Sequence, residues 1–378
     1  MKLFKALWSS DHHNLHPHTP TSHILANMDK FYYKDNDPKE ISLSVFGGDF
    51  FHTLASANDP DMIACQRWSK RYNQICHDNK TYAIYLEGTS SHDWRQPELL
   101  ELTKPKDSPY IMYIDKLSIK YFPEFDIHAM FVPDNFGKIT TDLIYDMAIE
   151  ELAKHNLTQV DFIFLHGGFK FQLPPVADKH GNLYDEYKWS KLAKHAIFSG
   201  HIHKPAQKLN IYCSGSFDRT AYGEMHAKGA YRFQFNKEQF SAQFYENTRA
   251  QIYDYMDVDP EITTKELIKR INNYLGKNPP KNTHLKIRNG NADVVVSVLG
   301  EFKESYPQYH FDSDNAKKDN VVIDETLYDP KMYKGVQLTK ENLEENLIRH
   351  MSATIEGNDD ISEDLLKQLL SEAMNECA

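Results

Sequence analysis

The sequence predicts a layered α/β protein, on three observations. Six apolar runs in the first 250 residues end in Gly, Ser, Asp or His, as strands do when they leave a sheet with polar residues at their tips. Segments with helical periodicity lie between them. From about Gln251 the composition changes and a smaller alternation begins. In order, the runs are KLFKALWSS (2–10), ISLSVFGGD (41–49), TYAIYLEG (81–88), VDFIFLHGG (160–168), KHAIFSGHIH (194–203) and KLNIYCSGS (208–216). RWSKRYNQICHDN (67–79) and TTDLIYDMAIEELAKHN (140–156) read as helices covering sheet faces. In such layered domains ligands gather at the carboxyl ends of strands, where loops converge.

Three regions follow: a main domain over 1–250, a small α/β domain over 251–320, and a linker with a helical segment over 321–378. In the second, TTKELIKRINNYLG has Thr before a 3–4 apolar pattern and Gly after it, a short helix. THLKIRNG reads as a strand and QYHFDSD as a closing one. NADVVVSVLGEFKESY is ambiguous, its β-branched run favouring a strand and its length and EFKES end a helix. TKENLEENLIRHM and ISEDLLKQLLSEAM read as two amphipathic helices joined at EGNDD.

Composition narrows the class. The chain of 378 residues is 40% hydrophobic and 26% charged, a soluble globular balance. No run approaches 18 apolar residues, and the start meets charge too early for a secretory leader. Four scattered cysteines without a C-x-x-C pair read as reduced thiols of a cytoplasmic protein. The net charge of −11 argues against an autonomous DNA-binding module. Charge is uneven, however: seven basic residues face one acid between Lys265 and Arg288, while 341–378 carries net −8. A basic patch and an acidic tail point to more than one partner.

Five strand ends carry the chemistry. They are Asp11-His12-His13, Gly47-Gly48-Asp49, Ser91-His92-Asp93, Leu165-His166-Gly167 and Gly200-His201-Ile202-His203. Carboxylate and imidazole donors suit manganese, iron or zinc better than calcium or magnesium. D-x-H and H-x-H each put two side chains on one side of an extended segment, where they can chelate one ion. An aspartate at a third strand end can bridge two ions, which together hold a phosphate and activate water. Each motif alone is weak; all five in this order, each after an apolar strand, are specific.

This constellation resembles that of the calcineurin-like metallophosphoesterases, and within them is most similar to the SbcD-type nuclease subunits of SbcCD complexes. IYCSGSFDRTAYGEMHAKGAYRFQF is a second match, resembling the Tyr, Gly-Ser, Asp-Arg, Phe-Gly-Glu run after the last motif in that family. The resemblance is specific over roughly 5–235 and positional beyond. It implies a β-sandwich flanked by helices, a small α/β capping domain and a C-terminal helical hairpin. It implies two divalent ions, manganese by preference, with Asp11, His13 and His203 on the first, His166 and His201 on the second, and Asp49 between them. His92 would contact the scissile phosphate and assist the leaving oxygen, with Asp93 orienting its ring. The activity implied is 3′-to-5′ exonuclease action on double-stranded DNA ends and endonuclease action near blocked ends. The partners implied are DNA, an SbcC-like coiled-coil ATPase docked through 341–378, and a second copy of the chain. The setting implied is a bacterial cytoplasm and nucleoid, with a phage-encoded chain included.

The family reads G-N-H-D where this chain reads G-T-S-S-H-D, so Ser91 stands where an asparagine oxygen binds the second metal. A hydroxyl is the poorer donor, which implies a weaker second metal or, alternatively, a site reduced to one. His12, His16, His18 and His23 read as solvated loop histidines rather than a third metal site. Lys277, Lys281, Lys286 and Arg288 are candidate DNA contacts through phosphate, with a solvated surface as the alternative. The terminal hairpin packs on its own domain or on a partner helix. Two rival functions stay open: a small-molecule phosphodiesterase or phosphatase, and a DNA-end-binding subunit with lapsed catalysis.

Overall fold

Two six-stranded sheets and one three-stranded sheet account for every strand of the computed structural model, which describes residues 3–173, 183–236 and 239–314. The first sheet is built from β1 (Phe4–Ser9), β2 (Leu43–Gly47), β3 (Tyr82–Leu86) and β4 (Ile111–Ile114), all parallel. The second holds β5 (Ser118–Phe122), β6 (Ile127–Val132), β7 (Val160–His166), β8 (Ala193–Gly200), β9 (Ala206–Lys208) and β10 (Ile211–Cys213). Of these β6, β7, β8 and β10 run parallel, with β5 and β9 antiparallel at the edges. The chain then returns to the first sheet through β11 (Gly229–Asn236), antiparallel to β1, and β12 (Gln239–Glu246). The strands of 111–132, 206–208 and 229–246 are elements beyond the six apolar runs.

Strand periodicity assigns the layers. On β1, Phe4, Ala6 and Trp8 enter one apolar cluster while Leu7 enters another. Phe162 and Phe164 of β7 join the Trp8 cluster, whereas Ile163 and Leu165 face a third. The Trp8 cluster therefore lies between the two large sheets. The other two lie under helices, and alternation of side chains along each strand makes both faces apolar. Helices α1 (Thr21–Asp29) and α2 (Pro60–Asn79) cover the first sheet with Ile24, Met28, Trp68 and Tyr72. The short α3 (Pro97–Glu101) adds Leu100. Helix α4 (Thr141–Lys154) covers the second with Ile144, Ala148 and Leu152, and α5 (Glu186–Trp189) adds Trp189. The result is a mixed α/β sandwich with helices on both outer faces.

A separate apolar cluster, from Val258 to Phe311, holds the small parallel sheet β13 (Tyr253–Asp257), β14 (His284–Arg288) and β15 (His310–Ser313). Its helices are α6 (Thr264–Leu275) and α7 (Ala292–Ser305). The ambiguous 291–306 stretch is the helix α7. Asn291 caps it by accepting from the Asp293 and Val294 amides, and Val295, Val298, Leu299 and Phe302 form its buried stripe, so period 3.6 outweighs β-branching. The described residues form one compact unit, in which this small sheet is tied to two loops of the large one. Tyr253 bonds Thr19 (2.7 Å), His284 Nε2 bonds the His18 carbonyl (3.0 Å), and Tyr222 donates to Asp312 (2.8 Å). The terminal helices expected over 321–378, and docking through 341–378, lie outside the described residues.

Among the described residues no helix is long and apolar enough to cross a membrane. Cys65, Cys76 and Cys213 are free and buried.

Candidate metal centre

The parallel strands β1, β2, β3, β7 and β8 deliver their carboxyl ends to one place. Past Ser9 the chain stays beside the β2 exit, with Asp11 N–H donating to the Gly48 carbonyl and His13 N–H to that of Asp49, both 3.0 Å. The D-x-H segment is not extended, contrary to expectation. Asp11, His13 and Asp49 have φ of 51°, 51° and 48°, and His201 has 86°. Four non-glycine residues in the left-handed region cost of order 1–3 kcal/mol each, a strain typical of functional sites. Alternate left-handed residues still bring Asp11 and His13 to the same site, by a turn instead of a pleat.

Two three-residue groups result, Asp11–His13–His203 and Asp49–His166–His201, each with its donor atoms within 4.8 Å of one another. In the first, the Nε2 atoms of His13 and His203 face each other at 2.9 Å, and Asp11 Oδ1 lies 3.8 Å from His203 Nε2. In the second, His166 Nε2 is 3.3 Å from Asp49 Oδ2. The backbone orients these side chains. His166 Nδ1 donates to the Gly47 carbonyl (2.7 Å), and both Asp11 oxygens accept from the His201 amide (3.0 and 2.9 Å). Close approach requires glycine at Gly88, where a Cβ would collide with the Asp49 amide and carboxylate.

The electrostatics suit cation binding. Burial and then the neighbouring His203 push His13 well below its ordinary range, and burial with His166 lowers His201. Both present neutral imidazole, the form that binds metal. Burial would depress His166, but Asp49 outweighs it and raises its pKa well above the usual value. Burial likewise opposes ionisation of Asp49, yet His166 holds its carboxyl well below the carboxylate range. A cation held by this pair would have to displace the His166 proton, so its binding would strengthen as pH rises.

Two residues play parts other than those expected. Asp93 does not orient His92. It is fully buried and accepts from the Phe51 and Gly88 amides (3.0 and 2.8 Å), which pins the β2 and β3 exits together. Burial, then Asp49 and Glu87, push its pKa well above the ordinary range. The His92 ring is set instead by the His52 carbonyl, 2.7 Å from Nδ1. Ser91 is exposed, and Thr89 has the hydroxyl that reaches the second group, at 3.2 Å from Asp49 Oδ2, 3.5 Å from His166 Nε2 and 3.4 Å from His201 Nδ1. Counting forward from Gly88, and not back from His92-Asp93, picks out Thr89 as the hydroxyl at this group. Thr89→Val is expected to weaken manganese binding at the Asp49 group by about 10-fold, while Ser91→Ala changes nothing. Manganese titration followed by electron paramagnetic resonance checks both.

Further residues join the site without having been singled out in the sequence. His52, three residues after Asp49, forms a third group with His13 and His92. Its Nδ1 and that of His13 are buried with no hydrogen-bond partner among the described residues. Glu224 accepts from His203 Nδ1 (2.7 Å) and lies 3.3 Å from the buried Lys228 ammonium. Burial would raise Glu224, but His203 and Lys228 hold it at about 2. Carboxylate support of a ligand histidine is the usual outer layer of a metal site. The Y-G-E triplet and its i+4 lysine were the available signal.

Among the other candidates, His12 is a buried core residue and not a solvated one, its Nε2 on Ser9 (2.8 Å) and its ring among Phe46, Phe50 and Phe217. His16 and His23 are half-buried and His18 exposed. Lys277 and Lys281 are exposed. Lys286 pairs with Asp314 (2.7 Å), and Arg288 makes a fork with Asp257 (2.7 and 2.6 Å) while lying over the Tyr255 ring. Those two cations are thus engaged within the small domain.

Fold and site together define a mixed α/β protein with clustered His and Asp residues that could hold metal ions at the strand exits. A scan against protein-family models found no match, and a search of curated proteins found none. Among solved structures the chain is similar to GAP50, the anchor in the inner membrane complex of Plasmodium, with 11% identity, 66% of this chain and 87% of that one covered, and a TM-score of 0.40. It is also similar to TT1561 of Thermus thermophilus, with 9% identity, 64% and 99% coverage and a TM-score of 0.38. Likeness at that level carries no argument about function.

Proposed function

We propose that this chain is a metal-dependent phosphodiesterase of the metallophosphoesterase type, and specifically an SbcD-like DNA nuclease. The observation that carries the reading is the convergence of two three-donor groups beside the His52–His92 pair. The donors fit divalent ions: nitrogen and carboxylate oxygen, two imidazole nitrogens facing each other, and neutral His13 and His201. Asp11, His13 and His203 would hold one ion, and Asp49, His166 and His201 the other, with Thr89 completing the second set and Asp49 lying toward both. When bound, such ions neutralise a phosphate and lower the pKa of the water that attacks it.

The protein's own groups supply the rest. Glu224 keeps His203 in the orientation that presents Nε2 inward. His52 and His92 would meet the scissile phosphate. The His92 bond to the His52 carbonyl keeps a proton on Nδ1 and turns Nε2 toward the phosphate; acting as an imidazolium, the ring would pass its Nε2 proton to the departing oxygen and be left as the Nδ1–H neutral form. The exposed Lys277 and Lys281 would touch DNA phosphates. A coiled-coil ATPase bound through 341–378 and a second copy of the chain complete the proposal.

The test is incubation of purified protein with linear plasmid DNA and with bis(p-nitrophenyl) phosphate, each with and without manganese. Manganese-dependent hydrolysis of both is expected. Hydrolysis of the small diester alone overturns the nuclease reading, and inertness toward both overturns the enzyme reading.

A further inference from the structure

We infer that Trp94 is a stacking platform for an unpaired nucleobase at the mouth of the site, an inference that rests on the proposed phosphodiesterase reading. Trp94 lies two residues beyond His92 and is 53% exposed. One exposed aromatic residue is ordinary on a protein surface. Its backbone is not. Trp94 has φ 50° and Arg95 φ 61°, two successive left-handed residues, and a bulky side chain seldom adopts that region.

The turn is held there from both sides by buried acids. Asp93 grips the Phe51 and Gly88 amides. Glu87, also buried, accepts from the Arg95 amide (2.8 Å) and from the Tyr113 hydroxyl (2.8 Å). The Arg95 guanidinium is turned aside to Glu98 and Asp115 (3.4 and 3.6 Å). Between these anchors the indole is left in solvent, and the Arg95 side chain beside it is exposed as well. A strained backbone that keeps a large apolar ring out of the core, beside the histidine assigned to the phosphate, has the form of a ligand clamp. Two other loops of the site also carry exposed apolar side chains, Leu54 two residues beyond His52 and Met225 next to Glu224.

Charge chemistry at the metal groups would recognise a phosphate from any source, whereas an indole face recognises a flat ring. Bases inside a duplex already stack on each other, so the ring offered to Trp94 is a terminal or unpaired base. The ligand class is therefore a nucleic-acid strand end with its last base freed from the stack.

The other three tryptophans, Trp8, Trp68 and Trp189, are no more than 2% exposed, so acrylamide-quenchable fluorescence reports Trp94. The experiment uses the His92→Asn protein with zinc, to keep the strand intact, and two labelled probes: a short oligothymidylate and the same strand built from abasic sugars. Binding is followed by anisotropy of the label, and Trp94 by quenching. The base-bearing strand is expected to shield Trp94 from acrylamide, and the abasic strand to leave it open. Trp94→Phe should retain affinity for oligothymidylate, and Trp94→Ala should lose roughly 5- to 150-fold. If oligothymidylate binds with Trp94 still open to acrylamide, or if Trp94→Ala binds it equally well, the platform is refuted and the nuclease reading stands. If neither strand nor duplex DNA binds while bis(p-nitrophenyl) phosphate is hydrolysed by the unmodified protein, both readings fall together.

Discussion

Asp49→Ala is expected to reduce manganese-dependent diester hydrolysis on the order of 10³-fold or more, about 4 kcal/mol of transition-state stabilisation. The carboxylate is a member of the second donor group and the counter-charge to His166. Its removal leaves a buried imidazole whose raised pKa had depended on that charge, so His166 becomes neutral and its site loses an anionic donor. In the proposed site Asp49 lies toward both ions, so metal analysis should show a loss of more than one ion per chain. Loss confined to one ion, with activity scaling to the ion that remains, would show that Asp49 serves the His166 group alone. The fold should survive, since Asp49 sits in a strand exit and takes no part in the three apolar clusters of the sandwich.

His92→Asn is expected to lower turnover by about 10²- to 10⁴-fold, the range of a lost general acid or base. Manganese content and affinity should change little. The distinction follows from position: His92 belongs to the group with His13 and His52, outside the two carboxylate-containing groups. Asparagine can still donate to the His52 carbonyl, so the loop should keep its course while Nε2 chemistry is lost. A fall in manganese affinity as large as that of Asp49→Ala would instead make His92 a ligand. Asp93→Asn offers a contrast. Because Asp93 ties Phe51 and Gly88 together, its replacement should act on stability and loop order, and only indirectly on the pH dependence of turnover.

Local pattern made much of this protein legible. Apolar runs ending in polar residues located six strands, because a strand buried on both faces must be apolar throughout and must surrender its polar residues to the exits. The same rule places Asp11, His13, Asp49, His166, His201 and His203 at strand ends, and the structure brings them into two groups. Capping residues marked α6 for similarly local reasons.

Tertiary structure decided the rest, wherever a residue's role depends on a neighbour far along the chain. Ser91 and Thr89 are equivalent as hydroxyl donors in the sequence. Only the fit of Gly88 against Asp49 brings Thr89, and not Ser91, to the second group. Asp93 next to His92 reads as its partner, yet the turn aims the carboxylate at two amides, Gly88 of its own strand exit and Phe51 of the β2 exit. His12 looks like a solvent-facing neighbour to a ligand and is buried among three phenylalanines from β2, its exit and the 214–218 loop. Glu224 meets His203 across 21 residues, and Arg288 is matched to Asp257 by the register of two parallel strands. Sequence determines which groups are available and which segments can form strands or helices, since those are set within a few residues. Which hydroxyl faces a donor group, and which acid faces a histidine, is settled by left-handed turns and by packing between strand exits, and these exist only when the two sheets have closed on each other.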